Sequence, residues 1–285
     1  AAVAAGRRAL EVVADEEALI WARRALDVLA PTNDRADAWA RAQADALLLL
    51  AEAHRLLGNL DDARSALRAV TNLARTSHDA AVLARAAQEW ALVSGAIGFS
   101  FGDLDQRLIT LMDEALAALG PDDHAERATL LSWASLALNP GDDREGQEAR
   151  SIAALEAAAE VPDQAHVQAL TLFARHMAVG GAPGLDERLS LLAPLRSAAR
   201  GWIELEVLAR ALAVVDLLEA DRVPEARRAM EELRAFVDPV RRPALDTFVA
   251  FFDAMWALLR GDLATAEERS NHALTIGAEA HGDNA

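Results

Sequence analysis

The chain has 285 residues, of which 53% are hydrophobic and only 5% aromatic, a profile that favours close-packed helices. Cysteine is absent, which excludes disulfides, thiolate metal sites and a cysteine nucleophile, and which fits a reducing cytoplasm. All 28 Lys+Arg positions are arginine, so a P-loop lysine and a Schiff-base lysine are excluded within this sequence. The net charge of -17 would repel phosphate backbones, so we expect no direct nucleic-acid binding.

Targeting and boundary signals are the next feature. No run approaches the roughly 18 uninterrupted apolar residues of a membrane span, and the first residues lack the order of a signal peptide. We therefore expect a cytoplasmic protein without a membrane partner. The sequence starts with Ala1 instead of methionine and shows no obvious linker. This predicts a single helical-repeat domain over residues 1–285 that is a fragment of a longer protein.

Apolar residues recur at helical spacing along the whole chain, and nothing alternates as a strand would. Breakers such as Gly120-Pro121 and Asn139-Pro140 divide the chain into fourteen predicted helices that form seven antiparallel pairs. Hairpin starts recur about every 40 residues, within the range of helical-repeat proteins. In chain order, the predicted pairs are 3–14 with 15–30, 34–57 with 60–76, 78–96 with 103–119, 122–138 with 143–159, 163–179 with 185–199, 202–220 with 223–236, and 239–260 with 263–276.

The clearest hairpin lies between Ala44 and Thr76. Leu47, Leu50 and other apolar residues share one face of its first helix. Gly58-Asn59 then suits the left-handed backbone that ends a helix, and Ala63 allows close approach of the second helix. Such a hairpin cannot bury its apolar residues alone, so it needs stacked copies of itself.

A family resemblance rests on the order of small Ala51, the pair Gly58-Asn59, bulky Leu60, two acidic residues and then Ala63. This order resembles the tetratricopeptide repeat, although the usual Trp, Tyr and Pro of that repeat are missing. The resemblance implies an all-α, tetratricopeptide-like α-solenoid of about seven antiparallel helix pairs.

A second resemblance covers most of the chain from about Ala87 onward. Its segments are 113–138, 184–233 and 255–277, which are rich in Ala, Leu and Arg at helical spacing. They resemble the helical-repeat region of large bacterial transcriptional regulators of the AAA/STAND ATPase type, which also carry LuxR-type or nucleotide cyclase domains. The resemblance implies a non-catalytic sensor or protein-interaction module, without a cofactor, that regulates an attached ATPase or output domain. The alternative is a structural scaffold or oligomerisation module without a ligand.

The expected binding surface is a concave groove lined by the first helix of each pair, by analogy with tetratricopeptide repeats. A protein segment or small effector would bind there, and other domains of the parent chain would respond. The residues expected to face the groove are Asp45, Leu48, Glu52, Arg55, Leu208, Ala211, Val215, Phe248, Phe251, Met255 and Leu258. Simple packing between hairpins is an equally good interpretation of the last four.

Catalytic and metal patterns are weak. The segment Gly98–Gly102 matches G-x-S-x-G around Ser100, but a helix, and not the strand of a nucleophile elbow, is predicted before it. The seven histidines form no metal-ligand spacing, and His54 is most simply a packing residue. Carboxylate pairs such as Asp142-Asp143 stand at predicted helix starts, where they would act as caps. We therefore expect neither catalysis nor a metal site.

Overall fold

A computed structural model of the chain describes residues 1–29, 36–94, 106–139, 141–240 and 242–281. These residues form fourteen α-helices, one short 3₁₀ turn and no strand. The predicted all-α class and the alternation of first and second helices are therefore confirmed for the described part of the chain. Packing divides the chain into two compact units, Ala1–Arg150 and Ser151–Ala285, which are described separately below.

The helices of the first unit follow one another in pairs. They are α1 Ala2–Glu11, α2 Asp15–Val28, α3 Ala36–Leu56, α4 Leu60–Ser77, α5 Ala80–Val93, α6 Gln106–Ala118, α7 His124–Ala137 and α8 Arg144–Ala159, whose second half belongs to the other unit. Consecutive helices from α1 to α7 pack on each other, and the first helices of the pairs also contact in the series α1, α3, α5, α7. This series is the first-helix layer of the unit.

The second unit repeats the arrangement. Its helices after α8 are α9 Ala165–Ala178, α10 Leu185–Ala198, α11 Ile203–Glu219, α12 Val223–Val237, α13 Pro243–Leu259 and α14 Leu263–His281. The first helices α9, α11 and α13 again contact in series and form the first-helix layer of this unit.

Four hairpins turn in the same way. Residues with positive φ follow the first helix at Val13 (60°), Gly58 (76°), Asp221 (56°) and Gly261 (77°). In each turn the next residue donates its N–H to a carbonyl five residues earlier, as in Asn59 N to His54 O at 2.8 Å. The turn is therefore closed by backbone hydrogen bonds, whatever residue occupies the left-handed position.

A small or slender residue flanks each of these turns on both sides, seven positions before the left-handed residue and five after it. These buried pairs are Gly6 with Ala18, Ala51 with Ala63, Val214 with Ala226, and Ala254 with Ala266. A Cβ on Gly6 would lie 2.4 Å from a methyl group of Leu49, so the α1 backbone approaches α3 closely there.

Larger side chains fill the space between helices. The largest fully buried ones include Leu49, Leu67, Met112 and Leu130 in the first unit. Phe173, Leu195, Leu205 and Phe252 take this role in the second. Each unit thus has its own apolar core, which fixes the helices that carry the polar and exposed groups described next.

Candidate functional site

All eleven residues predicted to line a groove lie on first helices. Those between Asp45 and Arg55 belong to α3, those between Leu208 and Val215 to α11, and those between Phe248 and Leu258 to α13. Their exposure differs widely. The structure therefore separates them into packing residues, a charged group in the first unit and an apolar group in the second.

Three of the predicted groove residues are packing residues. Leu48 and Leu208 are each 4% exposed, and Ala211 is completely buried. Side chains at these positions are in the core and do not form open surface. The helical period that put them on the groove face does not reveal how closely the next helix covers that face.

The charged group of the first unit joins α3 to α5. Asp45 Oδ1 accepts a hydrogen bond of 2.6 Å from an Arg85 guanidinium nitrogen, and the two residues are 40 positions apart. The ion pair thus links equivalent helices of consecutive repeats. Both side chains are more than a third exposed, so this pair lies at the surface.

A second ion pair of the same interface is more buried and has no direct hydrogen bond. Arg55 Nε lies 3.8 Å from Glu89 Oε2, and these side chains are only 16% and 19% exposed. That distance is too long for a hydrogen bond. Neither atom has a hydrogen-bond partner, although both are buried. The pair therefore has charge attraction without the hydrogen bonds that normally compensate burial.

The surroundings of Glu89 act on its proton affinity. Burial raises the pKa of Glu89 to about 7, the nearby charge of Arg55 lowers it, and Glu52 raises it again. Arg7 of α1 and Arg85 lower this pKa by smaller amounts. Asp45, Glu52 and Arg55 are thus brought into one charged cluster with residues of α5 and α1, which we call the α3–α5 charge cluster.

His54 is a further ionisable group on α3. It is 4% exposed, and its Nδ1 lies 3.8 Å from Asp62 Oδ2 without a hydrogen bond. Burial lowers the pKa of His54, while the Asp62 carboxylate raises it and Arg23 lowers it. The predicted packing role of His54 fits this position at the junction of α3 with the following turn.

The apolar group of the second unit lies on α13. Phe251 is 45% exposed and Leu258 is 58% exposed, while Phe248 and Met255 are partly buried. The neighbouring Phe252 is fully buried, and the two phenylalanine rings meet edge to face at 5.5 Å. Val215 of α11 is also partly buried. Phe252 anchors α13, and almost half of the Phe251 side chain is exposed to solvent.

The sequence did not identify a buried ionic network in the second unit. Asp216 of α11 is only 1% exposed. It accepts a hydrogen bond of 2.9 Å from Arg188 Nε, and its other carboxylate oxygen lies 2.6 Å from His176 Nε2. Arg188 also donates to the carbonyl of Gly181 and to Glu219. This Asp216 network connects α9, α10 and α11.

The sequence offered one signal for both charged groups. Asp45 and Arg85 are 40 residues apart, and so are His176 and Asp216. A polar residue on one first helix thus meets a partner one repeat further along. Pairing polar residues at the repeat length would have identified Arg85 and Asp216.

Metal-ligating side chains do not cluster in the part of the chain that the structure describes. No group of three or more His, Asp or Glu side chains there could hold a metal ion. The G-x-S-x-G segment around Ser100 falls outside the described residues. The predicted capping role is seen at Asp143, whose Oδ1 accepts from the Gly146 N–H at 2.9 Å.

Among the described residues, no helix is long and apolar enough to cross a lipid bilayer. No protein-family model matches the chain, and no curated protein matches it significantly.

Proposed function

We propose that this chain is a non-catalytic helical-repeat module that binds a protein segment or small effector on its first helices. The observation that carries the proposal is the exposure of Phe251 and Leu258 on α13. Both residues lie on a first helix that is anchored in the core by another of its residues, the fully buried Phe252. Exposed apolar residues grouped on one rigid helix are typical of an interaction surface.

The regulatory part of the proposal rests on the sequence resemblance described above. Segments 113–138, 184–233 and 255–277 resemble the repeat region of AAA/STAND ATPase regulators, and binding to the module would control an attached ATPase or transcription-regulator domain. Partner binding is the proposed input, and the activity of that attached domain is the proposed output. The module itself holds no cofactor.

A structural scaffold or oligomerisation module is the second candidate. Ion pairs that join successive repeats favour it, for example Arg75 with Glu114 at 2.6 Å and Arg196 with Glu232 at 2.6 Å. These contacts stabilise the stack without needing a ligand. The two candidates predict different results for a surface substitution on α13. The binding module would lose regulation of the attached domain, whereas the scaffold would keep it.

Replacing Phe251 with Glu tests the proposal. Because Phe251 is 45% exposed, we expect the unfolding midpoint to fall by only a few degrees, as for a loss of about 1 kcal/mol. Regulation of the attached domain in the parent protein should be lost. Asn271→Glu, an exposed change on α14, is the matched control and should leave both properties unchanged.

Two results would contradict the binding proposal. A midpoint that falls by many degrees in Phe251→Glu would show that this residue is core. Normal regulation by a folded Phe251→Glu protein would favour the scaffold.

A further inference from the structure

The α3–α5 interface contains ion pairs of different quality. Asp45 and Arg85 form a hydrogen bond of 2.6 Å at the surface, whereas Arg55 and Glu89 remain 3.8 Å apart. The facing Arg55 Nε and Glu89 Oε2 atoms are buried and lack hydrogen bonds. Glu89 Oε2 in this position loses water without gaining a direct donor, which disfavours the charged form of the carboxyl group.

The charged groups that act on Glu89 come from three elements. Arg55 and Glu52 face it from α3, Arg7 acts from α1, and Arg85 lies one turn earlier on α5 itself. Arg85 is hydrogen-bonded to Asp45, and Arg7 acts on Glu89 only through its charge and less strongly than Arg55 does. The nearby acid Glu52 opposes ionisation of Glu89 further.

The other helices packed against α5 are α4, α6 and α7. Their titratable residues are Asp61, Asp62, Arg64, Arg68 and Arg75 of α4, Arg107, Asp113 and Glu114 of α6, and His124, Glu126 and Arg127 of α7. Within the described part of the chain, none of them is among the groups that shift the pKa of Glu89. The side of α5 facing α4 instead carries Trp90, whose indole N–H donates to Thr71 Oγ1 at 3.2 Å.

The direction of the pH response follows from these contacts. Burial raises the pKa of Glu89 from 4.5 to about 7, so the folded chain holds a proton that the unfolded chain has already lost between these values. The stability contributed by neutral Glu89 is complete below pH 4.5 and is lost as the pH rises through about 7.

We propose that Glu89 makes the first-helix layer of the first unit sensitive to pH, because ionisation of its carboxyl group loosens the packing of α5 on α3. In mildly acidic solution the neutral carboxyl group stays buried beside Arg55. In mildly alkaline solution the carboxylate favours opening of the interface, which lets water reach it.

Amide hydrogen exchange of the whole chain at pH 5.5 and pH 8, corrected for intrinsic exchange rates, tests this inference. Between these values, the opening equilibrium of α5 amides in the wild-type protein should increase about 30-fold. In Glu89→Gln, which cannot ionise, it should stay constant. Glu114→Gln, which removes a surface carboxyl of α6, should keep the wild-type response. Amides of α11, in the other unit, serve as an internal control, and their opening equilibrium should respond to pH in the same way in the wild-type protein and in Glu89→Gln.

The inference is overturned if α5 amides of the wild-type protein and of Glu89→Gln respond equally to pH. If Glu89→Gln does not fold, the carboxyl ¹³C resonance of Glu89 in the wild-type protein gives the answer directly. A midpoint near pH 7 supports the inference, and a midpoint near pH 4.5 overturns it.

Discussion

The two units bury charged side chains in different ways. In the second unit, Asp216 is hydrogen-bonded to Arg188 and in contact with His176, all at 2.6–2.9 Å. In the first, Arg55 and Glu89 are 16% and 19% exposed and remain 3.8 Å apart. The same helical-repeat arrangement can therefore hold a hydrogen-bonded ionic network in one place and an ion pair without a direct hydrogen bond in another.

The difference shows what distance does to a buried charge. Direct hydrogen bonds replace the water that buried charges lose. Removing one partner of such a network therefore leaves the remaining charges buried with the full cost of desolvation. An ion pair without a direct hydrogen bond already bears part of that cost, so it stabilises less and responds more to pH. We expect the Asp216 network to be structural and the α3–α5 charge cluster to be adjustable.

Replacing Asp216 with Ala should have the largest effect. It leaves Arg188 and His176 buried without their shared acceptor, and we expect a loss of about 3–5 kcal/mol in the free energy of unfolding. Denaturant titration measures this loss. Asp253→Ala, which removes a more exposed partner of Arg234, is the control and should cost about 1 kcal/mol or less. Equal losses of stability in the two variants would contradict the distinction between buried, hydrogen-bonded pairs and more exposed pairs.

Replacing Arg55 with Met should have a smaller effect that depends on pH. At pH 8 Glu89 is mostly ionised and would lose its nearest cation, so we expect a cost of about 1–3 kcal/mol. At pH 5 Glu89 is neutral and the cost should shrink. Denaturant titrations at both pH values measure the difference, and Arg85→Met is the matched control at a more exposed pair. A cost that is the same at both values would contradict the view of an adjustable pair.

His54 should give a pH effect of opposite sign in the same unit. Burial lowers its pKa below 6.5, so the unfolded chain takes up a proton before the folded chain does. The stability contributed by neutral His54 is therefore present above pH 6.5 and falls as the pH decreases below that value. His54→Gln should reduce this acid-induced loss, as measured by thermal unfolding between pH 7 and pH 5. His272→Gln on the exposed face of α14 serves as the control.

An exposed ion pair should show the smallest effect. Arg75 donates two hydrogen bonds of 2.9 and 2.6 Å to Glu114, and these hydrogen bonds lower the pKa of Glu114. The side chains are 47% and 38% exposed, so solvent weakens the attraction. Glu114→Gln should cost about 0.2–1 kcal/mol, and less in high salt. A loss as large as that of Asp216→Ala would show that burial does not decide the strength of these pairs.

Helical periodicity and turn residues predicted most of the fold. The second helix of the clearest hairpin was predicted over 60–76 and is observed as Leu60–Ser77. The start predicted near Pro239 was wrong, because Pro243 lies in the first turn of α13 and lacks the N–H that a helix interior requires. The last helix runs past the predicted end at Ile276 to His281, through the buried Gly277.

The candidate site was predicted less completely. Helical spacing predicted Asp45, Glu52 and Arg55 on one face of α3, but it carries no information about the approach of α5. Glu89 was therefore missed, and Leu48 was expected on a surface although it lies in the core. Binding by these residues and by Phe251 stays a prediction. Contacts between repeats depend on the relative placement of two helices, which one-dimensional spacing does not determine.

The turns shared by four of the hairpins have a consequence for how this sequence can evolve. Each turn is closed by main-chain groups, and its left-handed position accepts Val13 and Asp221 as well as Gly58 and Gly261. The structural demand of this turn therefore falls mainly on two small or slender residues, twelve positions apart. Mutations elsewhere in a hairpin can accumulate while its geometry persists, so homologous repeats can lose recognisable identity long before they lose their shape.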